Sequence, residues 1–451
     1  MYLIIILLSI PLLFAGIIFV LNIFKGNNIQ GILLGFLILG MVSNVRFNIG
    51  YQNIYVDMPL ILLFIYNFAM LVHVMLSSKI NTLKLDDISR SQLYKVSLLL
   101  GGLLIFLFLQ VNISHIYDIN LYAFHINVFL NVILLGFLFY FLSVNKFNID
   151  TFFKVIVIYS ICNSLLGMLQ YVFNRTFLLF SESDSINYYE GAVVSKRVLG
   201  FVGASNGAGN LGAIFFSVLL YYFFKKKNVF SFIALLLNII FVVLTFTRIG
   251  YLSIGVQCLI FVIFTKIRNP HQLIRRCLIG ILSIFLGFIA YLIFYDDVYQ
   301  LLFINRGDTE SNRFVQFYEA FRIIKENLWF GVGAGQYNSY IEANHGIQDI
   351  VLHSQFINIL VEQGLISFIL FFMLYIFLFI WSTRIFKDDV WLPISLMVGN
   401  FIVVNFNPNQ YYSMCILTFF ILIYGLIFLR KTSTQEQVSV SSRSQQKGVP
   451  F

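Results

Sequence analysis

The chain has 451 residues, 59% of them hydrophobic and only 11% charged, with a net charge of +9. A soluble chain carries about a quarter charged residues, so this composition excludes a water-soluble globular fold. It also calls for no nucleic-acid partner, because membrane proteins collect lysine and arginine on their cytoplasmic side and against anionic lipid.

Continuous apolar runs, each near the length of a bilayer-crossing helix, follow one another along the chain. They lie near residues 2–24, 30–45, 58–78, 96–113, 122–144, 152–173, 202–224, 229–246, 249–265, 277–295, 357–381, 391–406 and 412–429. Their continuity excludes a β-barrel, whose strands alternate. The expected fold is an all-α polytopic membrane protein of about thirteen transmembrane helices, twelve to fourteen depending on how the weakest runs are divided. The membrane domain is expected over 1–430, with an external loop at 296–356. The Ser- and Gln-rich stretch 431–451 is expected to be a disordered tail.

Orientation follows from the basic residues. With Lys225, Lys226 and Lys227 taken as cytoplasmic, only nine of the 29 lysines and arginines fall on the opposite side: Arg46, Arg175, Lys196, Arg197, Arg248, Arg306, Arg313, Arg322 and Lys325. The C-terminus is therefore expected in the cytoplasm and the N-terminus outside. No basic residue precedes the first run and Lys25 follows it, which fits an uncleaved span rather than a signal peptide. Cys162, Cys258, Cys277 and Cys415 have no paired spacing and are read as small buried apolar residues, not disulfides or metal ligands.

The external arginines run against the charge bias and need another reason. Ser195 to Ala213 reads SKRVLGFVGASNGAGNLGA. It sets Arg197 at a span end, followed by glycines that fit either close helix packing or an irregular polar helix start with Asn206 and Asn210 inside a cavity. Arg248 lies in LTFTRIGYLSI, a hairpin so short that its guanidinium must sit at the membrane surface. Such a charge either snorkels to headgroups or binds an anion, and the planar guanidinium suits phosphate.

Residues 311–328 have the periodicity of an amphipathic surface helix, with Phe314, Phe317, Phe321, Ile324 and Leu328 on one face. Asn312, Gln316, Glu319 and Glu326 lie opposite, Ser311 or Asp308 can cap the start, and Arg313 falls in the first turn. FGVGAGQY follows. Its GxGxG pattern has no strand before it, so it reads as a tight turn returning the chain to the membrane rather than a dinucleotide site.

His353 opens the next long apolar run, where its imidazole can accept a hydrogen bond or act as a base. His345, in the preceding loop, is a weaker candidate. Glu362 lies nine residues past His353, two and a half turns, so it points to the other face about 13 Å deeper and is given a structural role. His73, His115 and His125 have no partners in the sequence pattern, and no HExxH or acidic cluster calls for a metal.

In this order the elements resemble the O-antigen polymerase and ligase family of bacterial membrane glycosyltransferases. KRVLGFVGASNGAGNLG resembles that family's arginine followed by a Gly- and Asn-rich helix start. LTFTRIGYLSI resembles its hydrophobic–Ser/Thr–Arg–Gly element, with Ile249 between Arg248 and Gly250. NRFVQFYEAFRIIKENLWFGVGAGQY resembles its arginine, surface helix and Gly-x-Gly turn, with Trp329-Phe330 where a proline is usual. LHSQFINILVEQGLISF resembles its histidine run ending in Glu-x-Gly.

The resemblance covers roughly 195–370. It implies a GT-C-like helical bundle in the bacterial cytoplasmic membrane, with an external active site. The implied substrate is an undecaprenyl-pyrophosphate-linked oligosaccharide, and no cofactor or metal is implied. Arg248 and Arg313 would hold the pyrophosphate, with Arg197 as a third ligand. His353 would contact the acceptor hydroxyl or leaving group, and Asn206, Asn210 and His345 would contribute to binding. The implied chemistry is inverting transfer of the glycan to a sugar hydroxyl, with the developing charge met by fixed guanidinium groups. A chain-length regulator and a flippase are the implied protein partners.

Three functions remain: a repeat-unit polymerase, which is the favoured expectation; a ligase acting on a lipid-A core or other acceptor; and a transporter of the same lipid-linked glycans. The sequence lacks the repeated, interrupted spans that mark many transporters.

Overall fold

The computed structural model describes residues 29–50, 54–76, 87–144, 147–178, 184–190, 193–266, 310–348 and 351–446. The runs expected as spans at 2–24 and 277–295, together with Cys277, Arg306 and Asp308, lie outside them.

The described helices are α1 (Ile29–Met41), α2 (Met58–Leu76), α3 (Asp87–Gln110), α4 (Ile119–Val144), α5 (Ile149–Phe173), α6 (Ser205–Lys226), α7 (Val229–Leu244), α8 (Arg248–Phe264), α9 (Glu310–Glu326), α10 (Tyr337–His345), α11 (Gln355–Ile385), α12 (Trp391–Val404) and α13 (Ser413–Gln446). Two antiparallel hairpins join them, β1 (Arg46–Asn48) with β2 (Tyr55–Asp57) and β3 (Asn187–Glu190) with β4 (Val193–Lys196). The fold is thus an all-α, multi-helix membrane protein. Among the described residues, α2, α3, α4, α5, α6 and α11 are long and apolar enough to cross a bilayer. The apolar helices α7, α8, α12 and the Ser413–Leu429 part of α13 are shorter.

Local chemistry sets several boundaries. Asn148 and Asn228 accept the free backbone N–H groups at the starts of α5 and α7. Asn174 and Lys227 end α5 and α6 in the left-handed conformation. α13 continues as helix to Gln446, where composition predicts a disordered tail; no glycine or proline interrupts Lys431 to Gln446.

α6 is the most enclosed of the long apolar helices and packs against α7, α8, α12 and α13. Its small residues permit this approach. A Cβ on Gly209 would collide with Thr247, in the hairpin before α8. Of the two readings of these glycines, close packing is the one seen at Gly209 and Gly212, since a Cβ on Gly212 would likewise meet Val242.

The ends of the bundle differ. At one, Asp150 at the start of α5 meets Lys225 and Lys226, at 3.5 and 3.6 Å, and Lys266 after α8 meets Asp388 before α12 at 3.0 Å. At the other lie both hairpins, the starts of α6, α8 and α11, and the α12–α13 loop, tied to each other by side chains. Asn44 donates to the Val202 carbonyl, Thr247 to that of Ser205, and Ser413 to that of Ser43.

The surface helix turns part of its polar side, rather than its aromatic stripe, toward the protein. α9 packs against α11, and its buried side chains include Gln316 and Glu319 beside Ala320 and Ile323. Phe314, Tyr318 and Phe321 are exposed instead. Glu319 turns inward onto a partner, His345, whose Nδ1 stands 2.9 Å from Glu319 Oε2; beside it the Gln316 backbone carbonyl accepts from the Tyr337 hydroxyl at 3.3 Å. The outward aromatic stripe is suited to the bilayer surface. The cysteines also differ in part, since Cys415 is buried, Cys162 half-buried and Cys258 exposed.

Candidate functional site

The site is built at the hairpin-bearing end. Arg248 is the first residue of α8, after Thr247 as cap, and its side chain is half-buried. A guanidinium at a helix N-terminus adds its charge to the unsatisfied N–H groups and the positive end of the helix dipole, a combination that favours an anion.

Arg197 stands behind this hairpin. It is 2% exposed; its Nε donates to the Thr245 carbonyl at 2.9 Å, and its Nη2 to Asn206 Oδ1 at 2.9 Å and Thr247 Oγ1 at 3.4 Å. Tyr188 of β3 covers it, ring centroid to guanidinium 4.6 Å. Burial pushes the Tyr412 hydroxyl up to about 12, while the charge of Arg197 pulls the other way. Arg197 therefore fixes the residues just before Arg248. Asn206 and Asn210, expected to line a cavity, sit in packed contacts: Asn206 accepts from Arg197, and fully buried Asn210 donates to the Asn407 carbonyl and to Asn409 Oδ1.

His353 stands two residues before α11, next to its cap Ser354, and is half-buried. Its Nδ1 lies 2.6 Å from the Val351 carbonyl, so that nitrogen carries the hydrogen and Nε2 is the basic one in the neutral ring. Ser354 accepts from Ile357 N–H at the start of α11 and donates to Asn405 Oδ1 at 3.1 Å.

α12 relates His353 to Arg248. Ser253 of α8 donates to the Gly399 carbonyl of α12 at 3.0 Å. From that contact Arg248 lies five residues toward the α8 N-terminus, and Val404 five residues toward the α12 C-terminus, about 7.5 Å along each helix. Arg248 and Asn405 are thus at one level, and Asn405 holds the residue next to His353.

Arg313 falls in the first turn of α9. His345 does not join His353; its ring is enclosed and paired with Glu319. Arg322 is half-exposed, near Glu319 and Glu326 at 3.7 and 3.6 Å.

The glycine turn after α9 is docked into a break in α11. Gly364 has φ 76°, outside helical geometry. There the Val361 and Glu362 carbonyls accept from Val332 and Gly333 N–H, at 3.0 and 2.8 Å, and Leu365 N–H donates to the Leu328 carbonyl at 2.8 Å. A Cβ on either Gly331 or Gly364 would strike the facing backbone. The Glu362 carboxylate accepts from Gly335 N–H at 2.9 Å and Tyr337 N–H at 3.2 Å. Burial, reinforced by the charges of Glu319 and Glu362, pushes the Tyr337 hydroxyl up, so it remains a donor.

Three groups escape sequence reasoning. His125, expected to stand without partners, has Nε2 3.4 Å from Glu362 Oε2. Gln336 accepts from Tyr117 and Asp118 N–H and donates to the Asp118 carbonyl, all at 2.8 Å. The α12–α13 loop, NFNPNQYY, joins α6, α11 and α12, through Asn409 to Asn400 at 2.9 Å, Gln410 to Asn358 at 2.7 Å and Asn358 to Tyr411 at 3.0 Å. Its run of asparagines between two apolar helices is the signal that could have found it. Among the described residues no three His, Cys, Asp or Glu side chains gather as metal ligands.

Residues 233–372 match the family model described as O-antigen ligase. No curated protein matches the chain.

Proposed function

We propose that this chain, a member of the O-antigen ligase family through residues 233–372, transfers a glycan from a lipid pyrophosphate to an acceptor hydroxyl at the outer membrane surface. Membership makes it a polytopic membrane protein of glycan transfer; donor, acceptor and sidedness are the proposal. What supports it is that Arg248, at the start of α8, and the α12 end that holds the neighbour of His353 lie at one level of the same end of the bundle.

A pyrophosphate leaving group gains negative charge as the sugar–oxygen bond breaks. Arg248 meets that charge with a bidentate donor that needs no proton transfer, and Arg313 of α9 adds a second. Arg197 acts on Arg248 by holding Thr245 and Thr247. His353 takes the acceptor's proton at Nε2 while Nδ1 stays bonded to Val351. Fixed guanidinium groups supply the charge stabilisation, so the proposed reaction is metal-independent.

The family description supports a ligase more than the repeat-unit polymerase expected from sequence. The proposed acceptor is therefore a glycan off the prenyl carrier, such as a lipid-A core. Purified protein given a prenyl-pyrophosphate glycan should form product only when that acceptor is added; a ladder from donor alone would make it a polymerase. The external position rests on the basic-residue bias. A cysteine at Glu342 should react with an impermeant thiol reagent on intact cells, and one at Lys226 should not; the reverse pattern would place the site in the cytoplasm.

A further inference from the structure

We propose that His125 and Glu362 form a buried positioning pair, which fixes the glycine turn, and through it the helix bearing Arg313, against the helix that His353 opens. The proposal rests on the transferase reading for its effect on turnover, but not for its effect on structure.

Both side chains are 2% exposed. His125 Nδ1 lies 2.9 Å from the Leu121 carbonyl and therefore carries a hydrogen. A neutral ring would then turn the Nε2 lone pair toward the carboxylate 3.4 Å away, so a proton is held between the two side chains. At that distance, and without hydrogen-bond alignment, the contact is one of charge rather than direction.

The carboxylate held this way is the one that accepts from Gly335 and Tyr337 N–H. Those residues end the turn that follows α9 and begin α10. The Glu362 carbonyl accepts from Gly333 N–H on the same turn, so one residue holds it through both backbone and side chain. α11 therefore carries His353 at its N-terminal edge and, at its break, the attachment point for the elements that carry Arg313. Removing His125 leaves a buried carboxylate opposite an apolar side chain, which costs more than losing the pair together.

The test uses full-length protein with His125→Phe, Glu362→Gln and the double variant, read by amide hydrogen exchange and by steady-state kinetics. His125→Phe should lose exchange protection over residues 331–345. Its kcat should fall about 100-fold, the scale of a small misplacement in an active site, while donor KM changes far less, because Arg248 still holds the donor. Adding Glu362→Gln removes the uncompensated charge but keeps only one acceptor for the turn, so it should restore part of the protection and raise kcat about tenfold over His125→Phe alone. Unchanged protection and turnover in His125→Phe would overturn the proposal. So would a double variant no better than His125→Phe, with thermal midpoints falling in parallel, because the pair would then only support the fold. Protection that follows the predicted pattern in a protein without transferase activity would uphold the pair and refute the transferase reading.

Discussion

Arg248→Lys is expected to lower glycan transfer about 100-fold, within the range for losing one donor to a developing anion, with protein level unchanged. Lysine keeps the charge but loses the two parallel N–H groups that match a phosphate oxygen pair. The position is at the N-terminus of α8 and half-buried, so the shorter lysine, with a single ammonium in place of the planar fork, cannot reproduce the arginine's reach or geometry there. Arg322→Lys is the control. That side chain is half-exposed, with partners at 3.6 Å or more, and surface pairs of this kind contribute at most about 1 kcal/mol. Transfer by Arg322→Lys should stay within about twofold of the parent. Equal tolerance at the two positions would make Arg248 a snorkelling residue with no substrate.

His353→Ala should abolish transfer while the lipid-linked donor accumulates. In the proposed mechanism the arginines and the prenyl chain bind the donor, whereas the histidine acts on the acceptor proton, a contribution of about 100- to 10,000-fold. His345→Ala makes the contrast. It removes the partner of Glu319, a buried carboxylate, so it should cost stability of about 1–3 kcal/mol. Turnover per folded molecule should persist. A His353→Ala protein with full turnover would remove that residue from the mechanism.

The long apolar helices were legible because apolar length alone carries the signal: α2, α4, α5 and α6 fall where the runs near 58–78, 122–144, 152–173 and 202–224 place them. The surface helix was legible in extent, but the enclosure of Gln316 and Glu319 on its polar side was not. Its strongest apolar residues, Phe314 and Phe321, face outward, because an aromatic face at a bilayer need not face protein. Glu362 was correctly set apart from His353 by helical geometry, but its partners could not be read. The Gln110 side chain that donates to its carbonyl is 252 residues away, and His125 belongs to a different helix. Asn210 and Asn409, 199 residues apart, form a bond that no local period announces. Side chains that depend on a distant partner are invisible to motif reading, whereas a position set by its own helix end is not: Arg248 opens α8 just after the short hairpin in which the sequence places it.

The most direct test of the account is a count of prenyl pyrophosphate released against glycosidic bonds formed, using purified protein, a prenyl-pyrophosphate glycan, an acceptor glycan and a chelator in excess. The account predicts one pyrophosphate carrier released for each bond formed, at the same rate with and without chelator. Transfer that stops in chelator and returns with a divalent cation would contradict the guanidinium mechanism, and bond formation without carrier release would contradict the donor.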